Sequence, residues 1–153
     1  MPVNVVLYSP QIPQNTGNIS RLCAVTNSVL HLIEPLGFSL MDKQLKRAGL
    51  DYWDFLEIKR HRSIEHFLEN NDTSKMFFLS SKVEKSYWEQ NFENDCYIIF
   101  GSESSGLPVD ITEKFKNQVV TIPQFNKNVR CHNLSNSVSI VLYEALRQIN
   151  YKR

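Results

Sequence analysis

Tyr97-Ile98-Ile99-Phe100-Gly101-Ser102-Glu103-Ser104-Ser105-Gly106-Leu107-Pro108 reads as a short buried strand that breaks at a glycine into a polar loop. So short an apolar run, bounded by a glycine turn, suits a strand covered on both faces, as in a parallel sheet. Gly101 permits a close backbone approach and Gly106 a positive φ before Pro108. The spacing matches neither the three-glycine dinucleotide fingerprint nor a phosphate loop ending in Gly-Lys-Ser/Thr. Glu103, the only acid of the loop, either binds a hydroxyl or ammonium group or favours the start of the following helix. With no second convergent acid, a paired-carboxylate hydrolase has little support.

The same unit recurs on either side of this stretch. Val3 to Tyr8, ended by Ser9-Pro10, is predicted as the opening strand, and Gln11 to Asn18, with Pro13 and Gly17, as a loop. Ile19, Leu22, Cys23 and Thr26 then recur at helical spacing, which predicts a helix starting at Ile19. Leu30 to Ile33 is a second strand before the turn Glu34-Pro35-Leu36-Gly37, and Asp42 to Leu50 a short helix with Leu45, Ala48 and Leu50 inward. Phe55 to Ile58 is predicted as a strand, Ser63 to Leu68 as a helix capped by Ser63, and Lys75 to Leu79 as a strand. Downstream come a short helix over Val109 to Phe115 and a last strand over Val119 to Ile122. Leu134, Val138, Val141, Leu142, Ala145, Leu146 and Ile149 then keep the 3.6-residue period of a long amphipathic helix. Short strands alternating with helices imply an α/β domain with a mainly parallel sheet flanked by helices, and its strand-to-helix ends are the usual binding edge. All 153 residues are expected to form one domain.

An apolar content of 42% with 22% charged residues fits an ordinary globular chain. No apolar run is long enough to cross a bilayer, and no cationic leader with an apolar stretch follows Met1, so a cytoplasmic location is expected. Cys23, Cys96 and Cys131 have no zinc spacing and are expected to be reduced thiols. His31, His61, His66 and His132 show no metal-ligand spacing either, and no metal is expected.

A net charge of +1 leaves the question of a nucleic-acid partner to local clustering. Basic groups stand at Lys43, Lys46 and Arg47, at Lys59 to Arg62, at Lys127 and Arg130, and at Lys152 and Arg153, while acids gather in Glu65 to Asp72 and Glu84 to Asp95. They read either as a polarised surface or as several solvated faces.

Two further polar segments carry candidate chemistry. Asn15, Gly17, Asn18 and Arg21 follow the first strand, and an arginine there suits a phosphate because its fork donates two parallel hydrogen bonds. Ile122-Pro123-Gln124 to Arg130-Cys131-His132-Asn133-Leu134-Ser135-Asn136 runs straight into the last helix. One cap needs one Asn or Ser, so the surplus of such side chains points to a ligand.

Together, Asn15-Thr16-Gly17-Asn18-Ile19-Ser20-Arg21, the Phe100 to Pro108 loop, and Ile122-Pro123 with Arg130 and Asn133-Leu134-Ser135-Asn136 resemble the SPOUT methyltransferases, α/β proteins with a trefoil knot that bind S-adenosylmethionine. Glu34-Pro35-Leu36-Gly37-Phe38, Lys46-Arg47-Ala48-Gly49-Leu50-Asp51-Tyr52-Trp53 and Val141-Leu142-Tyr143-Glu144-Ala145-Leu146-Arg147-Gln148 look like the small TrmL (YibK) type within that class, which methylates the ribose 2'-hydroxyl of the tRNA wobble nucleotide. The resemblance covers nearly the whole chain. It implies a C-terminal trefoil knot, a homodimer with the final helix at its interface, and no appended RNA-binding domain. It also implies a cofactor pocket built from Leu79, Phe100, Gly101, Glu103, Gly106, Ile122, Cys131, Asn133, Leu134 and Ser135.

Arg21, Ser135 and Tyr143 would be the catalytic group, and Asn15, Lys43, Lys46, Arg47, Arg60, Arg62 and Arg130 would grip the anticodon stem-loop. Such a grip implies marked salt dependence of binding. The implied target is cytidine(34) or 5-carboxymethylaminomethyluridine(34) of tRNA, tRNA-Leu in particular; the alternatives are the ribose of another RNA, or a noncatalytic RNA-binding scaffold. A guanidinium stays protonated, so Arg21 is expected to hold a phosphate and polarise the hydroxyl rather than to act as a free base. Relatives commonly carry Met after the Ile-Pro pair and Ser-Leu or Ser-Met between the arginine and the asparagine, where this chain has Gln124 and Cys131-His132.

Overall fold

The computed structural model describes residues 2–40, 43, 45, 47, 54–129 and 132–151. Its strands are β1 (Asn4–Tyr8), β2 (Val29–Ile33), β3 (Ile58–His61), β4 (Met76–Leu79), β5 (Tyr97–Phe100) and β6 (Val119–Val120). They form one sheet in the order β3-β2-β1-β5-β4-β6, with every pairing parallel. The helices are α1 (Pro13–Thr26), α2 (Ile64–Glu69), α3 (Val109–Lys114) and α4 (Leu134–Asn150). Lys43, Leu45 and Arg47 are also helical, with Leu45 buried and the two cations exposed; the rest of the helix predicted over Asp42 to Leu50, Lys46 included, lies outside the described residues.

Alternation along the strands sorts the core into two layers. Val5 and Leu7 of β1, with Leu30, Leu32, Ile98 and Phe100, pack against Ile19 and Cys23 of α1 and Val138, Val141, Leu142 and Ala145 of α4. Val6, Ile33, Ile99 and Phe78 face the other way, toward Ile64 and Phe67 of α2 and Ile111 of α3. Each of the Val, Leu, Ile and Phe side chains contributes about 1.5–3 kcal/mol on burial. The expected α/β architecture is therefore present, covered on both faces.

The last strand ends at Val120, two residues short of its sequence reading, and two other elements differ more. The helix expected from Ile19 starts six residues earlier, at Pro13, so Asn15 to Asn18 are helical rather than loop. Proline suits the first helical turn because it has no N–H to leave unsatisfied there. The backbone N–H groups of Gln11 and Ile12 just before it donate to the Glu103 carboxylate at 3.0 and 2.5 Å, a partner from the loop after the neighbouring strand β5 that no local pattern reveals. The strand expected over Phe55 to Ile58 is instead Ile58–His61; Asp54 and Phe55 lie in a 3-10 turn, and Phe55 is 79% exposed. β3 is an edge strand, so Lys59 and Arg60 stay in solvent, and no apolar run marks it.

A polar row ties that edge to the centre. Asn4 Nδ2 donates to the Cys96 carbonyl at 3.3 Å, which leaves its Oδ1 to face His31 Nε2 at 2.9 Å. His31 therefore carries its proton on Nε2, and its Nδ1 accepts from His61 Nε2 at 2.9 Å. Burial first, then the nearby His61 and Lys59, lower the His31 pKa to about 3. Burial, His66 and Lys59 lower that of His61 as well. Burial also pushes the Cys23 thiol up to about 12 and that of Cys96 up to about 11. Both thiols are free, while Cys131 lies outside the described residues. Among the described residues, no helix is long and apolar enough to cross a membrane.

Candidate active site

The C-terminal ends of β4, β5 and β6 open into a cavity of about 990 Å³. Leu79, Ser80, Phe100 and Thr121 continue the strands into it, and Ile122, His132, Asn133, Leu134 and Ser137 form the wall toward α4. Val109, Thr112 and Glu113 of α3, with Lys116 just beyond, supply the opposite wall. Their spacing of three, four and seven residues is one helical face. Glu103 and Ile12 close the side toward α1, together with Asn15.

The loop after β5 folds onto itself. Gly106 N–H donates to the Ser102 carbonyl at 3.0 Å, and the Ser102 and Ser105 hydroxyls lie 2.7 Å apart. Gly106 has φ +67°, the left-handed conformation expected of it. A Cβ on Gly101 would sit 2.2 Å from the Gly106 carbonyl carbon and 2.4 Å from Leu107 N, so the close approach that requires glycine is to its own loop.

Asn15 joins the three polar segments. Its Nδ2 donates to Glu103 at 3.4 Å, and its Oδ1 accepts from Asn133 Nδ2 at 3.1 Å. Glu103 also accepts the N–H groups of Gln11 and Ile12, and Ser104 Oγ donates to Gln11 Oε1 at 2.6 Å. Asn133 caps α4, its Oδ1 accepting from Ser135 N–H at 2.9 Å and from the Ser135 hydroxyl at 2.7 Å. One amide thus fixes how the first, second and third segments face each other.

The structure gathers part of the expected site. Leu79, Phe100, Gly101, Glu103, Gly106, Ile122, Asn133 and Leu134 line the cavity; Ser135 falls between the lining residues Leu134 and Ser137 without lining it, and Cys131 is outside the described residues. Arg21 on α1 and Tyr143 on α4 are exposed and line no part of it. Of the expected RNA contacts, Asn15 is only 5% exposed and has both ends of its amide engaged. Arg60 pairs with Glu34, Arg62 is exposed, as are Lys43 and Arg47, and Lys46 and Arg130 lie outside the described residues. His132 and Gln124, the two departures from the family pattern that are described, both line the cavity. The α3 wall and Ser81 to Val83 were not anticipated, although the helical spacing of Val109, Thr112, Glu113 and Lys116 was there to be read. Among the described residues, no group of three or more His, Cys, Asp and Glu side chains could hold a metal.

Residues 2–143 match the SpoU rRNA Methylase family. The chain belongs to that family. Within the SPOUT superfamily it is of TrmL (YibK) type, and the family makes it a methyltransferase. It is 45% identical over 150 residues to the tRNA (cytidine(34)-2'-O)-methyltransferase of Escherichia coli (strain K12), covering 97% of this chain and 95% of that one. A solved structure described as giving insight into the 2-OH methylation of C/U34 on tRNA superposes with a TM-score of 0.90 at 42% identity, over 95% of both chains. The SpoU methyltransferase AviRb from Streptomyces viridochromogenes, solved with the cofactor AdoMet, matches with a TM-score of 0.84 over 99% of this chain and 59% of its own. At 19% identity that likeness shows the fold alone.

Proposed function

We propose that this chain transfers a methyl group from S-adenosylmethionine to the ribose 2'-hydroxyl of nucleotide 34 of tRNA, acting as a single SPOUT unit. The observation that carries this reading is the Asn15 bridge, which draws the three family segments around one cavity at the strand ends. Kinship supports the substrate: the Escherichia coli relative named for cytidine(34) of tRNA aligns across nearly the whole chain.

The cavity fits the cofactor. Its volume is in the range of roughly 300–1,000 Å³ usual for small-molecule sites. Leu79, Phe100, Leu107, Val119, Ile122 and Leu134 offer apolar surface to an adenine, and the Ser80 and Ser102 to Gly106 segments offer polar groups to a ribose and an amino acid end. When bound, S-adenosylmethionine supplies an electrophilic methyl on a sulfonium, chemistry that asks little of the protein beyond alignment. Transfer to a hydroxyl releases one proton, which the RNA phosphate or solvent accepts. Arg21 holds that phosphate through its fork and polarises the hydroxyl. Ser135 donates to Asn133 and so fixes the start of α4 against the cavity wall.

A homodimer belongs to the same reading. Arg21 and Tyr143 stand outside the cavity of their own chain, and a second copy packed over the α1–α4 layer would bring such residues to a neighbouring cavity. The trefoil knot is supported by kinship with the SPOUT family. A tRNA substrate implies a cytoplasmic location, and tRNA-Leu is the isoacceptor we favour.

Transfer of labelled methyl from S-adenosylmethionine to total tRNA, followed by nucleotide mapping, tests the reading. Label is expected on the 2'-oxygen of nucleotide 34. Label confined to another RNA would redirect the substrate, and RNA binding without transfer would leave a scaffold.

A further inference from the structure

We infer that Trp88 and Phe125 form a stacking platform for an unstacked base of the RNA loop, beside the nucleotide presented to the cavity. The inference rests on the reading of this chain as an RNA ribose methyltransferase. Both rings are turned out of the core: Trp88 is 58% exposed and Phe125 88% exposed. Their centroids lie 6.4 Å apart with planes tilted by 33°, so they are neighbours with open faces.

Their position is fixed relative to the cavity. Trp88 stands in the 3-10 turn Tyr87–Glu89, whose Tyr87 is buried, and its N–H donates to the Ser86 hydroxyl at 3.0 Å. Backbone hydrogen bonds from Tyr87 to Thr121 and from Thr121 to Lys85 bind that turn to a cavity-lining residue. Phe125 follows Gln124, another lining residue, directly in sequence. The pair is therefore tied to the cavity wall through Thr121 and Gln124.

The cavity beside the pair favours RNA as its occupant. A ribose carried into a recessed site must leave the loop's base stack, and its neighbours lose stacking partners with it. Aromatic faces recover that loss for any base, by about 1–3 kcal/mol each.

The test uses the full chain, S-adenosylmethionine and an anticodon stem-loop RNA. In a Trp53→Phe background Trp88 is the only tryptophan, and its emission should quench when RNA binds. Trp88→Ala and Phe125→Ala should each raise the KM for RNA by about tenfold, leave the Kd for S-adenosylmethionine unchanged, and be rescued by Trp88→Phe and Phe125→Tyr. An RNA abasic at the nucleotides flanking position 34 should erase the difference between wild type and variants. Variants that match the wild type on intact RNA would overturn the platform while leaving the methyltransferase reading in place. Variants that change the association state of the protein instead of its KM for RNA would assign the pair to a protein contact and overturn it too. A wild-type chain that methylates no RNA would overturn both.

Discussion

Lowering the pH from 8 to 5 should destabilise this protein through one buried residue. His31 is 1% exposed, its Nε2 donates to Asn4 and its Nδ1 accepts from His61, so the folded chain holds it neutral. Its pKa falls from 6.5 to about 3 on folding. Because the folded value is depressed, the unfolded chain binds the extra proton between those values. Stability is then complete above pH 6.5 and declines as pH falls toward 3. Each pH unit within the window costs about 1.4 kcal/mol, so His31 alone costs about 2 kcal/mol at pH 5. The downward shift of His61 acts in the same direction. Urea unfolding of wild type and His31→Leu at pH 8 and pH 5 isolates the effect from the carboxylates, which titrate in both proteins. His31→Leu is less stable at pH 8, since it leaves Asn4 Oδ1 and His61 Nε2 unpaired, but its loss between pH 8 and 5 should be about 2 kcal/mol smaller. Equal losses in the two proteins would refute the neutral buried imidazole.

Three further outcomes follow from the site geometry and the core. Gly101→Ala places a methyl 2.2 Å from the Gly106 backbone and should cost about 1–3 kcal/mol, with weakened S-adenosylmethionine binding by calorimetry; Gly106→Ala has open space and should cost about 1 kcal/mol for its positive φ alone. Asn15→Asp sets a second carboxylate beside Glu103 and should lower methyl-transfer kcat/KM at least about tenfold, with substantial recovery in the Asn15→Asp/Glu103→Gln double variant. Cys23 and Cys96, buried with raised pKa values, should resist maleimide at pH 7.5 in the native protein and react once it is unfolded in urea, as read by peptide mapping.

Elements whose two ends carry local signals were legible in the sequence. β5 falls at Tyr97–Phe100 as predicted, because a glycine follows its apolar run, and α4 starts after an asparagine whose side chain caps it. The start of α1 is not legible locally, because the carboxylate that accepts the amides leading into it belongs to Glu103, far away in sequence. β3 is not legible either, because an edge strand needs no apolar run and its solvent-facing Lys59 and Arg60 hide it. The site divides in the same way. Gly101 and Asn133 stand out by composition and Ile122 enters only through the family resemblance, whereas the α3 wall uses ordinary side chains at helical spacing. The pairing of Asn15 with both Glu103 and Asn133 exists only once the sheet has brought the three segments together.

The most direct test of the central claim is methyl transfer to two anticodon stem-loop RNAs that differ by one oxygen, the ribose 2'-oxygen of nucleotide 34. With labelled S-adenosylmethionine, the ribonucleotide form should be methylated and the 2'-deoxy form should accept no label. Equal labelling of the two would place the chemistry at another atom and contradict the account.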